Sequence, residues 1–227
     1  MTVGERGSVR LLVAGATGAV GREVLRLALA DPRVGQVVAP TRRPLPPAGG
    51  LTNIVVDFAS LDEAPSWCEV DAVACALGTT IKKAGSREAF AAVDRDLVVD
   101  LARCALQAGA TRFALTSSVG AGTGRSFYLR TKAEAEEGVR RLGYPSLTIV
   151  RPSLLDADRD ESRPAEQLAL GAAHLLRPLI PRRYRPVSSE TVARTLLAGL
   201  LEPTPGVTIV ESDQLHRPEG PGDFASS

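Results

Sequence analysis

Val9-Arg10-Leu11-Leu12-Val13-Ala14 runs directly into Gly15-Ala16-Thr17-Gly18-Ala19-Val20-Gly21, and the reading of this stretch decides the fold. A compact apolar run suits a strand buried on both faces. The glycines that follow are spaced GxxGxxG. Glycine permits the tight turn, lets backbone N–H groups approach a pyrophosphate, and lets a helix pass close over a strand. The helix expected from about Ala19 to Leu29 would aim its positive N-terminus at the phosphates. A strand, a glycine turn and a helix in that order form the context a dinucleotide-binding turn requires.

Working outward, strand-type runs alternate with helix-type runs. Strands are predicted over Gln36–Ala39, Ile54–Val56, Ala72–Leu77, Phe113–Thr116, Leu147–Val150 and Val207–Val210. Asp31-Pro32 stops the first helix. Ser86 can cap a long helix with Phe90, Val93, Leu97, Leu101 and Cys104 at helical spacing, and Gly109 ends it. Further helices are predicted over Phe127–Leu142, near Ala165–Leu176, and from a Ser188 or Ser189 cap to Leu201. The alternation predicts an α/β fold: a doubly wound, mostly parallel Rossmann sheet with helices on both faces. Residues 1–211 form the single expected domain, with a substrate region at about 153–190. Residues 212–227 read as a loose polar tail.

Composition bounds the function. The chain has 227 residues, 44% of them hydrophobic, and a net charge of +1. That is a globular chain with no electrostatic case for nucleic acid or an anionic membrane as partner. No apolar run is long enough to span a bilayer, and Met1 to Ser8 shows no secretory pattern. Cys68, Cys75 and Cys104 include no CxxC pair and read as free, buried thiols, which suits a reducing cytoplasm. No cluster has metal-ligand spacing. Of the 27 basic residues only Lys82, Lys83 and Lys132 are lysines.

The end of the second strand reads Ala39-Pro40-Thr41-Arg42-Arg43. A site for NAD(H) usually carries an acid there for the ribose 2′-hydroxyl. Two arginines instead suit a 2′-phosphate, so NADP(H) is expected over NAD(H), with solvated surface arginines as the rival reading. Asp57, expected to close the third strand, is a candidate for the adenine amino group or a loop cap.

Tyr128 and Lys132 stand four apart at the start of a predicted helix, so they share a face. The strand before it ends in Thr116-Ser117-Ser118. A free tyrosine titrates near 10, and a neighbouring ammonium favours its phenolate. Such a tyrosine can exchange a proton with a carbonyl/alcohol couple while nicotinamide exchanges the hydride. A serine hydroxyl can hold the same oxygen.

The glycine turn, the serine pair and the Tyr-Lys pair resemble the short-chain dehydrogenase/reductase superfamily. The chain is most similar to its atypical NAD(P)H-binding branch, the NmrA-like proteins and the Tat-interacting-protein oxidoreductases. That likeness is carried by Ala76-Leu77-Gly78-Thr79-Thr80, Ala84-Gly85-Ser86, Val93-Asp94, Leu115 to Ala121, Tyr128 to Glu134, and Arg151-Pro152-Ser153. It implies that Gly15, Gly18 and Gly21, with Thr17, Ala19 and Val20, cradle the pyrophosphate, and that Arg42, or Arg43, meets the adenosine phosphate. Ala76, Leu77 and Gly78 would line the cofactor, and Pro152 and Ser153 would contact its nicotinamide end. Tyr128 would be the acid/base, Lys132 would bind ribose and tune Tyr128, and Ser118, or Ser117, would orient substrate. Asp94 stands near the place where conventional members use an asparagine, and Ala121-Gly122-Thr123-Gly124-Arg125 reads as a mobile turn.

Two functions fit. One is an NADP(H)-dependent oxidoreductase acting on a small carbonyl/alcohol substrate. The other is a non-catalytic NADP(H)-binding redox sensor that acts through a protein partner. A homodimer is a family-level expectation. Lys82-Lys83 reads as a cofactor lid or a solvated pair, and Arg182-Arg183-Tyr184-Arg185 as an anion-facing cluster or a surface turn. His174 and His216 receive no role.

Overall fold

The structure, a computed structural model, describes residues 8–58, 65–155 and 181–216. Its strands are β1 (Val9–Ala14), β2 (Val34–Thr41), β3 (Leu51–Val55), β4 (Ala72–Cys75), β5 (Arg112–Thr116), β6 (Ser146–Arg151) and β7 (Gly206–Glu211). They form one sheet in the order β3-β2-β1-β4-β5-β6-β7, with every neighbouring pair parallel. The order reverses between β1 and β4, which is the switch point where ligands of such sheets bind. The doubly wound fold expected from the alternation is the one observed.

The helices are α1 (Ala19–Ala30), α2 (Ile81–Ala84), α3 (Arg87–Ala91), α4 (Leu97–Gln107), α5 (Phe127–Arg141) and α6 (Ser189–Leu201). Strand alternation divides the core. Leu11 and Val13 of β1 face α1 and α6, where Val24, Ala28, Leu196 and Leu200 are buried. Leu12 and Ala14 face α4 and α5, where Leu101, Ala105 and Val139 are buried. Each large apolar side chain so removed from water is worth about 1.5–3 kcal/mol before entropy is charged.

The structure corrects several expectations. β3 starts at Leu51 and ends at Val55, so Asp57 lies past the strand. β4 ends at Cys75, because Ala76, Leu77 and Gly78 leave the ladder to form a loop. The long helix is interrupted: a π-turn over Ala92–Asp96 joins α3 to α4. Helix α2 was not expected; Thr80 caps it by accepting from the Lys83 N–H, and Gly85 ends it at φ +88°. Cys68 and Cys104 are not free thiols but a disulfide with Cα atoms 6.3 Å apart, leaving Cys75 as the one free cysteine. The tail does not become loose at Ser212, since Ser212 is fully buried, Gln214–His216 forms a 3-10 turn and Leu215 is buried. The helix expected near Ala165–Leu176, His174, residues 156–180 of the substrate region and the tail beyond His216 lie outside the described residues.

Candidate functional site

β1, β4, β5 and β6 are consecutive in the sheet, so the turns at their carboxyl ends line up along one edge. These turns carry the glycine segment, Ala76–Gly78, Ser117–Ser118 and Pro152–Ser153. β2, on the other flank of β1, brings Arg42 and Arg43 beside the glycine turn.

The glycine turn is closed by the Gly18 N–H donating to the Gly15 carbonyl at 2.9 Å. Gly15 adopts φ +81°, and a Cβ there would strike the Ala76 carbonyl. A Cβ on Gly21 would strike the Gly15 carbonyl, so Gly21 is what lets α1 cross so close to the turn. α1 begins after Gly18 with no side-chain cap and no acid in its first turn. Its first N–H groups therefore remain available for an anion. Thr17 and Gly18 are exposed there. Val20 is 5% exposed and packs into the core, so only its backbone belongs to the cradle.

Arg42 and Arg43 are exposed, and no carboxylate pairs with either among the described residues. Their turn is held by Asn53, which sequence reasoning missed. Its Nδ2 donates to the Ala39 carbonyl at 2.7 Å and to Thr41 Oγ1 at 2.8 Å, while its Oδ1 accepts from the Leu45 N–H at 2.7 Å. Thr41 Oγ1 in turn donates to the Arg43 carbonyl at 2.7 Å. Asp57 lies beside the same turn, because the Val56 N–H donates to the Thr41 carbonyl at 2.9 Å. It is exposed and already has an interaction partner.

α5 begins at a Ser126 cap, which accepts from the Leu129 N–H at 3.2 Å. Tyr128, Lys132 and Glu136 follow at four-residue intervals along one face. Tyr128 is half-buried with its ring 5.5 Å from that of Phe90, and its hydroxyl has no partner among the described residues. Lys132 is 6% exposed, with Nζ 2.7 Å from Asp94 Oδ1 in a buried ion pair. The π-turn puts Asp94, 1% exposed, under this ammonium. Asp94 Oδ2 also accepts from the Thr79 N–H at 2.9 Å, so one carboxylate ties the loop after β4 to Lys132. Gly78 covers the pair: a Cβ there would sit 3.5 Å from Asp94 Oδ1 and 3.7 Å from Lys132 Nζ. Cys75 lies beneath, and burial pushes its thiol up to about 11.

The two serines separate clearly. Ser117, 5% exposed, donates from Oγ to Glu136 Oε1. Glu136 also holds Arg151 through both oxygens, at 3.0 and 2.6 Å, and Arg151 reaches Glu211 at 2.8 Å. The hydrogen bond to Glu136 raises the pKa of the Arg151 guanidinium. Ser117 is thus part of a structural network and not a free substrate ligand. Ser118 makes only a 3.5 Å contact to the Val119 carbonyl and is half-buried, so its hydroxyl is available. The segment from Gly120 to Gly124 is a hydrogen-bonded turn, with the Gly124 N–H donating to the Gly120 carbonyl at 2.8 Å. Pro152 is buried, and its carbonyl accepts from the Val119 N–H at 2.8 Å. Ser153 donates its hydroxyl to the Arg185 carbonyl, so toward the nicotinamide end its side chain can only accept.

These residues fit a dinucleotide. The cradle at Gly15 and Gly21 is one that any Cβ would fill, and buried Thr116 Oγ1, at the end of β5, has no hydrogen-bond partner. Thr116 is a second residue the sequence did not single out; only its place before Ser117-Ser118 could have pointed to it. No group of three metal-ligating side chains exists among the described residues, and no helix there is long and apolar enough to cross a membrane.

Comparison with known proteins agrees with this geometry. The model of the NAD(P)H-binding family matches residues 15–203. Protein HTATIP2 of Rattus norvegicus is 37% identical over 202 residues, covering 86% of this chain and 83% of the relative. The protein fmp52, mitochondrial, of Emericella nidulans is 38% identical over 164 residues, covering 68% of this chain and 70% of the relative. Among solved structures, MoeE5 in complex with UDP-glucose and NAD matches with a TM-score of 0.67 at 20% identity, over 90% of this chain and 76% of that one. The Bordetella bronchiseptica enzyme WbmG in complex with NAD matches with a TM-score of 0.66 at 16% identity, over 93% and 75%.

Proposed function

The chain belongs to the NAD(P)H-binding family, and from that premise we propose that it is an NADP(H)-dependent oxidoreductase of the atypical short-chain dehydrogenase/reductase type acting on a small carbonyl/alcohol couple. The observation that carries this reading is the free hydroxyl of Tyr128 on the same helical face as Lys132, with the uncommitted hydroxyl of Ser118 at the neighbouring strand end.

Gly15, Gly18 and Gly21, the exposed start of α1, and Ala76 to Gly78 would hold the dinucleotide, and Arg42 and Arg43 would hold a 2′-phosphate. Bound nicotinamide supplies the hydride in reduction and accepts it in oxidation. In reduction, Tyr128 donates its hydroxyl proton to the carbonyl oxygen as that oxygen gains charge, and it recovers a proton from solvent. In oxidation Tyr128 takes the alcohol proton. Ser118 donates a hydrogen bond to the same oxygen and holds it in line. Lys132, fixed by Asp94, keeps a positive charge close to the tyrosine through either step. Arginine in place of an acid at the end of β2 supports NADP(H) over NAD(H), because a carboxylate there would repel a phosphate.

The reading calls for a small-molecule substrate; the cytoplasmic setting expected from free thiols loses that support, because Cys68 and Cys104 are joined. The experiment is to follow NADPH oxidation by the purified protein over a panel of aldehydes, ketones and quinones while titrating NADPH binding in the same preparation. Turnover above about 1 s⁻¹ on at least one class, in the ordinary enzymatic range, is expected. Tight NADPH binding with no turnover on any class would replace this reading with that of a redox sensor acting through a protein partner.

A further inference from the structure

The arginine turn at Arg182–Tyr184 is built into the substrate end of the site, through contacts that can be followed atom by atom. The Val119 N–H, next to Ser118, donates to the Pro152 carbonyl at 2.8 Å. The next residue, Ser153, donates from Oγ to the Arg185 carbonyl. The His216 ring contacts that carbonyl through Nε2 at 3.2 Å, and since a carbonyl only accepts, Nε2 carries the proton there. Arg182 Nη2 closes the loop by donating to the His216 carbonyl at 3.2 Å. The Val187 N–H donates to the Leu154 carbonyl at 2.9 Å, and Leu155 and Val187 form a parallel bridge. The turn is therefore anchored next to the strand end that bears Ser118.

Its charges are uncompensated. Arg182 and Arg183 are exposed, and no carboxylate pairs with either among the described residues. Arg26, Arg33, Arg95, Arg103, Arg141 and Arg194 each lie within 3.1 Å of a carboxylate, whereas Arg182 and Arg183, like Arg42 and Arg43, do not among the described residues. Two exposed apolar side chains belong to the segments joined in this way: Leu154, 75% exposed, and Tyr184, 57% exposed. Guanidinium groups beside apolar surface suit a ligand with an apolar body and an anionic oxygen group.

We infer that Arg182 and Arg183 form an anion-recognition subsite, so that the substrate class is a carbonyl compound carrying a carboxylate or a phosphate. This rests on the oxidoreductase reading for the word substrate, but the subsite is testable without turnover.

The test uses the full chain loaded with NADP+ and three probes with one aldehyde framework: 4-carboxybenzaldehyde, 4-formylphenyl phosphate and the neutral methyl 4-formylbenzoate. Calorimetric titration is expected to show at least one anionic probe binding about fivefold or more tighter than the ester, a preference that weakens with added salt. Arg183→Ala should remove most of that preference, and Arg182→Ala/Arg183→Ala all of it, with affinity for the ester unchanged. Circular dichroism and NADP+ binding confirm that the variants are folded. Equal affinity for all three probes, or a preference that survives the double variant, would overturn the subsite. NADPH oxidation is followed in parallel samples of the same preparations, loaded with NADPH in place of NADP+. Turnover without an anion preference sinks the subsite alone. An arginine-dependent preference without turnover of these probes keeps the subsite, and the oxidoreductase reading then falls if the wider panel of aldehydes, ketones and quinones is not turned over either.

Discussion

Ser117 and Ser118 are adjacent in the chain and have opposite fates, which the residue pattern alone could not separate. Ser117 is tied to Glu136 inside a buried network, whereas Ser118 is uncommitted. Replacing Ser118 by Ala should lower kcat about 10²-fold, in line with the loss of one preorganised donor, and leave NADPH binding unchanged. Ser117→Ala should instead cost about 1–3 kcal/mol in urea unfolding, by leaving Glu136 short of a partner. Equal kinetic loss in both variants would contradict the division. Arg42→Ala should weaken NADPH about tenfold while NADH changes less than about twofold, since a charge-assisted contact is removed from one cofactor only. A matched loss for both cofactors in fluorescence titration would return Arg42 to the role of a solvated surface residue. Asp94 carries a stability prediction. Asp94→Ala strands the buried ammonium of Lys132, and such a break costs about 3–5 kcal/mol.

α5 shows how an element delivers chemistry. Its Ser126 cap fixes where the helix starts, and the 3.6-residue period then places Tyr128, Lys132 and Glu136 on its inner face. That period is visible in the residues, which is why the Tyr-Lys pair was legible. Ser126→Ala should cost about 1 kcal/mol in helix stability, with kcat falling as the first turn frays around Tyr128. The glycine turn was equally legible, because φ +81° at Gly15 and the close crossing at Gly21 each demand glycine. Gly15→Ala should abolish cofactor binding or folding outright, measured as loss of soluble, NADPH-binding protein. The π-turn at Ala92–Asp96 was not legible, because one helical turn of altered pitch leaves the apolar spacing on either side intact. Yet that turn supplies Asp94. Helix α2 was hidden for a different reason: one turn is too short to carry a period.

At the scale of the whole molecule, strands and helices alternate so regularly that sheet type and layering followed from the sequence. Long-range pairings did not. The Cys68–Cys104 disulfide joins positions 36 apart, and nothing local to either cysteine announces it. Likewise the polar run Ser212 to His216 carries no local sign that Ser212 accepts from the Ser153 N–H at 3.2 Å. Thiol titration tests the disulfide: native protein should show no reactive thiol, the denatured protein one (Cys75), and the denatured, reduced protein three. Reduction should lower unfolding stability by about 4 kcal/mol, the scale for a loop of this length. The central claim, that Tyr128 moves the proton in an NADP(H)-dependent reaction, is tested most directly by one experiment. NADPH-loaded wild type and Tyr128→Phe are mixed with the best carbonyl substrate, and a single turnover is followed. The account predicts NADPH affinities equal within about twofold and a hydride-transfer rate about 10²–10⁴-fold lower in the variant, the usual worth of a positioned acid. Equal single-turnover rates in the two proteins would contradict it.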